Sequence, residues 1–121
     1  MKRFLLYSIC FLLAQNFSAQ TQLGTTMNGA VTGDLFGAFV SISSNGNRYV
    51  VGSSDNTISS AFGGYARVYD YNGSAWNVLG ADIAEEVNGD NAGAVAISGD
   101  GSRIIIGGYL NDGNGTDSGH V

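Results

Sequence analysis

The one cysteine, Cys10, lies in an N-terminal stretch that reads as removable, so the rest of the chain has no thiol, disulfide or sulfur metal ligand. Stability beyond that stretch must come from packing rather than cross-links. Lysine is confined to Lys2. From Gln20 onward, Arg48, Arg67 and Arg103 face ten acidic residues, so the net charge falls from −5 for the whole chain to 3 − 10 = −7. Phosphate binding needs clustered basic side chains. Nucleic acid and anionic membranes are therefore poor partners. His120 is the single histidine, and no Gly-x-Ser-x-Gly elbow accompanies the many serines. A serine nucleophile would have no base other than His120. Proline is absent and glycine occurs 19 times, which points to many tight turns. With short β-branched and aromatic runs between them, these turns indicate an all-β fold.

No apolar run is long. The clearest spans residues 4–13, about ten residues, where a bilayer needs about 20. Lys2-Arg3 precedes it, and small and polar residues follow up to Gln20. This is the plan of a secretory signal peptide over residues 1–19, with cleavage expected after Ala19. The product is then secreted or displayed at the cell surface, with no transmembrane segment.

Two stretches of the mature chain repeat each other. Ile42-Ser43-Ser44-Asn45-Gly46-Asn47-Arg48-Tyr49-Val50-Val51-Gly52 returns as Ile97-Ser98-Gly99-Asp100-Gly101-Ser102-Arg103-Ile104-Ile105-Ile106-Gly107, 55 residues on. The shift holds downstream, where Asn56 matches Asn111, Gly64 matches Gly119 and Tyr65 matches His120. Upstream it is 56, with Leu23-Gly24 matching Leu79-Gly80 and Gly33-Asp34 matching Gly89-Asp90. One residue is therefore lost between Gly93 and Ile97. Such a period marks a supersecondary unit that buries its apolar faces against copies of itself.

Period-2 alternation predicts strands over 39–43 and 65–71, and short apolar stretches bounded by turns predict them over 48–53, 75–79, 94–98 and 103–108. Asn45-Gly46, Asn72-Gly73 and Asp100-Gly101 supply hairpin turns. The Tyr-Val-Val and triple-Ile centres suggest strands covered on both faces. Four antiparallel strands per unit is the plan of a β-propeller blade, and about one and a half to two blades are expected here. The units run about 33–88 and 89–121, within a partial propeller over 20–121. Thr21-Gln22-Leu23-Gly24 aligns with the end of a fourth strand. Val121 aligns with Ala66 in mid-strand, so the chain reads as a fragment whose C-terminal blades follow.

Gly33-Asp34-Leu35-Phe36-Gly37, then Val40-Ser41-Ile42-Ser43-Ser44-Asn45-Gly46, Val51-Gly52 and Arg67-Val68-Tyr69 resemble the FG-GAP repeats of integrin-α-like β-propellers. The likeness is to their bacterial exported versions. The second copy departs from the pattern, with Ala92-Gly93 in place of Phe-Gly. The resemblance implies a non-enzymatic exported module for adhesion or for binding a protein or carbohydrate ligand at the cell surface. A propeller part of an extracellular enzyme and a purely structural surface repeat are the alternatives.

Integrin-type repeats carry calcium in a loop at a place comparable to residues 111–119. Asp112, Asn114, Thr116 and Asp117 are the candidate ligands, because oxygen donors in a glycine-rich loop suit a hard cation. The commoner use of such a loop is a solvated turn. Adjacent Glu85 and Glu86 read as a solvated acidic connection rather than an acid/base pair. His120 reads as a strand residue at the surface. Arg48 and Arg103, at one repeat position, read as bonding turn carbonyls or Asp90-type carboxylates. Tyr69, Tyr71 and Trp76 could stack on sugar rings, though packing between repeats is their more ordinary use.

Overall fold

A computed structural model describes residues 20–54, 64–84 and 89–121. The predicted signal peptide, the first-copy loop 55–63 and Glu85-Glu86 lie outside these residues. The described residues are all-β, with antiparallel sheets and no helix. None therefore forms a helix long and apolar enough to cross a membrane. The strands are β1 (Phe36–Ile42), β2 (Arg48–Ser53), β3 (Tyr65–Tyr71), β4 (Trp76–Val78), β5 (Ile83–Ala84), β6 (Ala92–Ile97) and β7 (Ile104–Gly108). The first sheet runs β1-β2-β3-β4, with β5 also on β3; the second is β6-β7. Neither sheet closes on itself.

β2 and β3 coincide with their predicted spans. β1 and β6 start earlier, at Phe36 and Ala92, because each passes through a bulge that interrupts its alternation. Phe36 pairs with Ser53 but Phe39 with Gly52, which sets Gly37 and Ala38 outside the ladder. Ala92 pairs with Gly108 and Ala94 with Gly107, which sets out Gly93 alone. The residue lost between the repeats is thus lost from a bulge, where the ladder tolerates a change of length. β5 was not foreseen in its polar surroundings. Ile83 and Ala84 pair with Ala66 and Tyr65, so β4 and β5 together edge β3 along a broken line. Residues 21–24, expected as the end of a strand, form none.

The repeat extends to individual hydrogen bonds. Ser43 Oγ accepts from the Arg48 amide at 3.1 Å, and Asn45 Oδ1 accepts from the Asn47 amide at 3.0 Å. Ser98 Oγ accepts from the Arg103 amide, and Asp100 Oδ1 from the Ser102 amide, each at 3.0 Å. Gly46 and Gly101 close these turns at φ +72° and +74°, which a side chain disfavours. Leu35 and Asn91, at matching positions before β1 and β6, both hold left-handed backbone at φ 51° and 58°.

The two sheets pack face to face. Val50, Ala66 and Val68 form the buried centre, against Val95, Ile97, Ile104 and Ile106 of β6-β7. Val50 and Ala66 are fully buried, and each valine taken from water contributes about 2 kcal/mol. Backbones meet where Gly52 faces Gly93: a Cβ on Gly52 would lie 1.8 Å from the Gly93 carbonyl oxygen. The hairpin tips join as well. The Ser44 amide donates to Gly99 O at 2.8 Å, and Arg48 Nη1 donates to Gly101 O at 2.9 Å. Arg48 thus bonds a turn carbonyl as expected, while its carboxylate partner is Asp70 at 3.0 Å rather than Asp90.

Candidate functional site

The loop after β7 is built around Asn111. This side chain is buried, and its Nδ2 donates to Asp90 Oδ2 at 2.7 Å. Its Oδ1 accepts from the Gly113 amide at 2.9 Å. Its carbonyl accepts from the Gly119 amide at 2.9 Å and from Ser118 Oγ at 3.1 Å. One residue therefore ties the start and end of the loop to the β6 side of the sheet. Within the loop, the Asp117 amide donates to Asp112 Oδ1 at 2.8 Å, and the Gly115 amide donates to Asp112 O at 3.1 Å. Asp117 takes left-handed backbone at φ 52° to make this turn.

The structure thus joins the Asp117 backbone amide to the Asp112 carboxylate and places Asn114 and Thr116 on the same exposed loop. These donors are all oxygen, which fits calcium rather than a metal that prefers nitrogen or sulfur. One acceptor direction of Asp112 is taken by the Asp117 amide. Among the described residues no three His, Cys, Asp or Glu side chains cluster to hold a metal. A cation here would rely on two carboxylates completed by amide, hydroxyl and backbone oxygens. Asn111, which anchors the loop, was not among the expected ligands. Its signal was the match of Asn56 to Asn111 across the repeat.

Buried polar groups gather before β1 and β6. Asp34 is 5% exposed and Asp90 is 4% exposed, 56 residues apart. Asp34 Oδ2 accepts from Tyr65 Oη and from the Val31 amide, each at 3.0 Å, and from the Ala30 amide. Its carbonyl accepts from Ser53 Oγ at 2.6 Å. Burial raises the Tyr65 pKa, which keeps the phenol protonated as a donor to Asp34. Every buried side-chain nitrogen and oxygen among the described residues has a partner. A carboxylate so occupied holds the chain ahead of β1 in place and is not free to move protons for a substrate.

The aromatic residues share the other face of the first sheet. Tyr49 stacks on Tyr69 with ring centroids 4.8 Å apart and meets Trp76 edge-on at 4.6 Å. Tyr71 lies 5.1 Å from Trp76, whose Nε1 donates to Leu23 O at 3.1 Å. Tyr69 is buried, so of the three rings considered for sugar stacking only Tyr71 and Trp76 keep a partly open surface. Arg67 pairs with Asp82 through two hydrogen bonds of 2.6 Å and lies over the Phe36 and Tyr65 rings. His120 bridges Gly108 and is exposed, at the place Tyr65 takes opposite Ser53.

No protein-family model, curated protein or solved structure matches the chain.

Proposed function

We propose that the chain is a non-enzymatic, exported or cell-surface repeat module of FG-GAP β-propeller type, serving adhesion or the binding of a protein or carbohydrate ligand. The observation that carries this reading is the packing of one repeat on the next. Two units of like turns, bulges and pairing registers stack face to face, as blades of a propeller must. Buried Asp34 and Asp90 carboxylates that accept hydrogen bonds from the fold itself support a binding role over a catalytic one. The exposed loop 112–118 is the ligand-facing element, with Asp112, Asn114, Thr116 and Asp117 as its calcium donors.

The test is a thermal melt of the full chain in chelator and with millimolar calcium. A ligand selective for the native state raises Tm with its concentration. The wild-type chain is expected to gain stability in calcium but not in equal magnesium, and Asp112→Ala with Asp117→Ala to lose that gain. An unchanged Tm removes calcium from the reading. Mass spectrometry of the exported product tests the location, with Gln20 expected as its first residue.

A further inference from the structure

Glycine has no Cβ, so its amide is the least hindered backbone nucleophile for the side chain of the residue before it. When that residue is Asn or Asp, attack closes a succinimide ring. The described residues hold Asn28-Gly29, Asn45-Gly46, Asn72-Gly73 and Asn114-Gly115, together with Asp100-Gly101 and Asp112-Gly113. Asn88, which precedes Gly89, lies outside them. Most of these glycine amides are tied up as donors. Gly46 N donates to Ser43 O at 2.9 Å, Gly101 N to Ser98 O at 2.8 Å and Gly115 N to Asp112 O at 3.1 Å. Gly113 N donates to Asn111 Oδ1 at 2.9 Å. Among the described residues, only the amides of Gly29 and Gly73 in these pairs have no acceptor.

These last pairs differ at the asparagine. Asn72 Oδ1 accepts from the Ser74 amide and from Ser74 Oγ, each at 3.0 Å, and from the Ala75 amide at 2.9 Å. Donors at such distances stabilise an oxyanion. Asn28 has no such donor among the described residues. We propose that Asn72 is a modification site, at which the turn between β3 and β4 promotes spontaneous succinimide formation and deamidation. Gly73 N bonds to Asn72 Cγ and gives up its proton to water. The negative charge that gathers on Oδ1 meets donors already in place. The Cγ–Nδ2 bond then breaks, and Nδ2 takes a proton from water and leaves as ammonia. Water adds to either ring carbonyl and opens the ring to aspartate or isoaspartate. One water is consumed and one ammonia released, with no change of oxidation state. Asn72 is exposed, so water reaches both steps. Asn45 shows that a polarised amide is not enough: its Oδ1 accepts from Ser43 Oγ at 2.8 Å and from the Asn47 amide at 3.0 Å, but Gly46 N is engaged. An aspartate at 72 keeps an acceptor in the turn, as Asp100 does for the Ser102 amide. Isoaspartate adds a methylene to the backbone just ahead of β4, where Tyr71 pairs with Trp76, and loosens that strand. The inference is independent of adhesion and of calcium.

Peptide mapping of the full chain, held at mildly alkaline pH in a metal chelator, tests it. Mass spectrometry follows the change from amide to acid at each asparagine. In the folded chain Asn72 is expected to deamidate at least about tenfold faster than Asn45 and Asn114, and faster than Asn28. In concentrated urea the turn is lost, so Asn72 should slow and the rates at these asparagines converge to within about threefold. Ser74→Ala removes one donor from an exposed turn and should slow Asn72 at least about threefold, with the other sites unchanged. Ser74→Thr keeps the hydroxyl and should keep the rate; circular dichroism checks that both variants fold. Asn28 leading in the folded chain overturns the proposal, as does an Asn72 no faster there than in urea. A rate at Asn72 that Ser74→Ala leaves unchanged overturns it also.

Discussion

Val50 and Ile105 occupy the same point of the two repeats, each in the second strand of a hairpin with the same turn, yet Val50 is fully buried and Ile105 is 61% exposed. Gly52 and Gly107 differ in the same way, one pressed by a carbonyl and the other open. The pattern within a repeat sets which way a side chain points. Whether anything covers it depends on the neighbouring unit. Among the described residues the first repeat has a neighbour on that face and the second has none, so equal sequence roles carry unequal energies there.

The glycine pair sharpens this comparison most. Gly52→Ala places a methyl group into backbone and is expected to cost at least about 3 kcal/mol, because the two sheets must separate. Gly107→Ala in the dilute chain is expected to change stability by less than about 0.5 kcal/mol. Urea unfolding of both variants measures the gap, and equal losses would break the comparison. Next come the apolar partners. Val50→Ala leaves a cavity between the sheets and should cost about 2 kcal/mol, while Ile105→Ala should cost less than about 1 kcal/mol. If Ile105 proves the costlier, the open face is covered in solution by something beyond the single chain.

The smallest expected effect is of pH. Arg67, foremost by its hydrogen bonds, lowers the Asp82 pKa in the first repeat. In the second, hydrogen bonds led by the Ser98 hydroxyl and followed by the Ser102 amide hold Asp100 at about 2. A carboxylate with a lowered folded pKa stabilises the fold fully above its unfolded value of about 4 and loses that contribution as pH falls through the folded value. Tm should therefore be flat from about pH 7 to 5 as far as these groups govern it, and fall below about pH 4. Asp82→Asn and Asp100→Asn should each flatten part of that fall. Asp82 is largely solvated, so its part is under about 1 kcal/mol. A fall that neither variant alters would place the acid sensitivity elsewhere.

Much of the first repeat was legible because its signals are local. Tyr65 to Tyr71 alternates cleanly, Arg48 to Ser53 holds a short apolar run between turns, and Asn45-Gly46 and Asp100-Gly101 name their own turns. β5 was illegible because Ile83 and Ala84 are two residues in a polar stretch, held only by pairing with Tyr65 and Ala66. The early starts of β1 and β6 were hidden by bulges, which interrupt the alternation that reveals a strand. In the loop, residue types pointed to Asp112 and Asp117 but not to Asn111, whose anchoring depends on Asp90, 21 residues away.

The amino-acid sequence alone determined the repeat, its hairpins and the side of each strand on which a residue lies, because turn chemistry and two-residue periodicity act over a few neighbouring residues. The tertiary structure alone decided which of two equivalent residues is covered and which glycine is crowded. It also decided where Asp34 and Asp90 find their partners. Burial and hydrogen bonding over such distances are properties of what packs against a surface, and that partner lies tens of residues away in the chain.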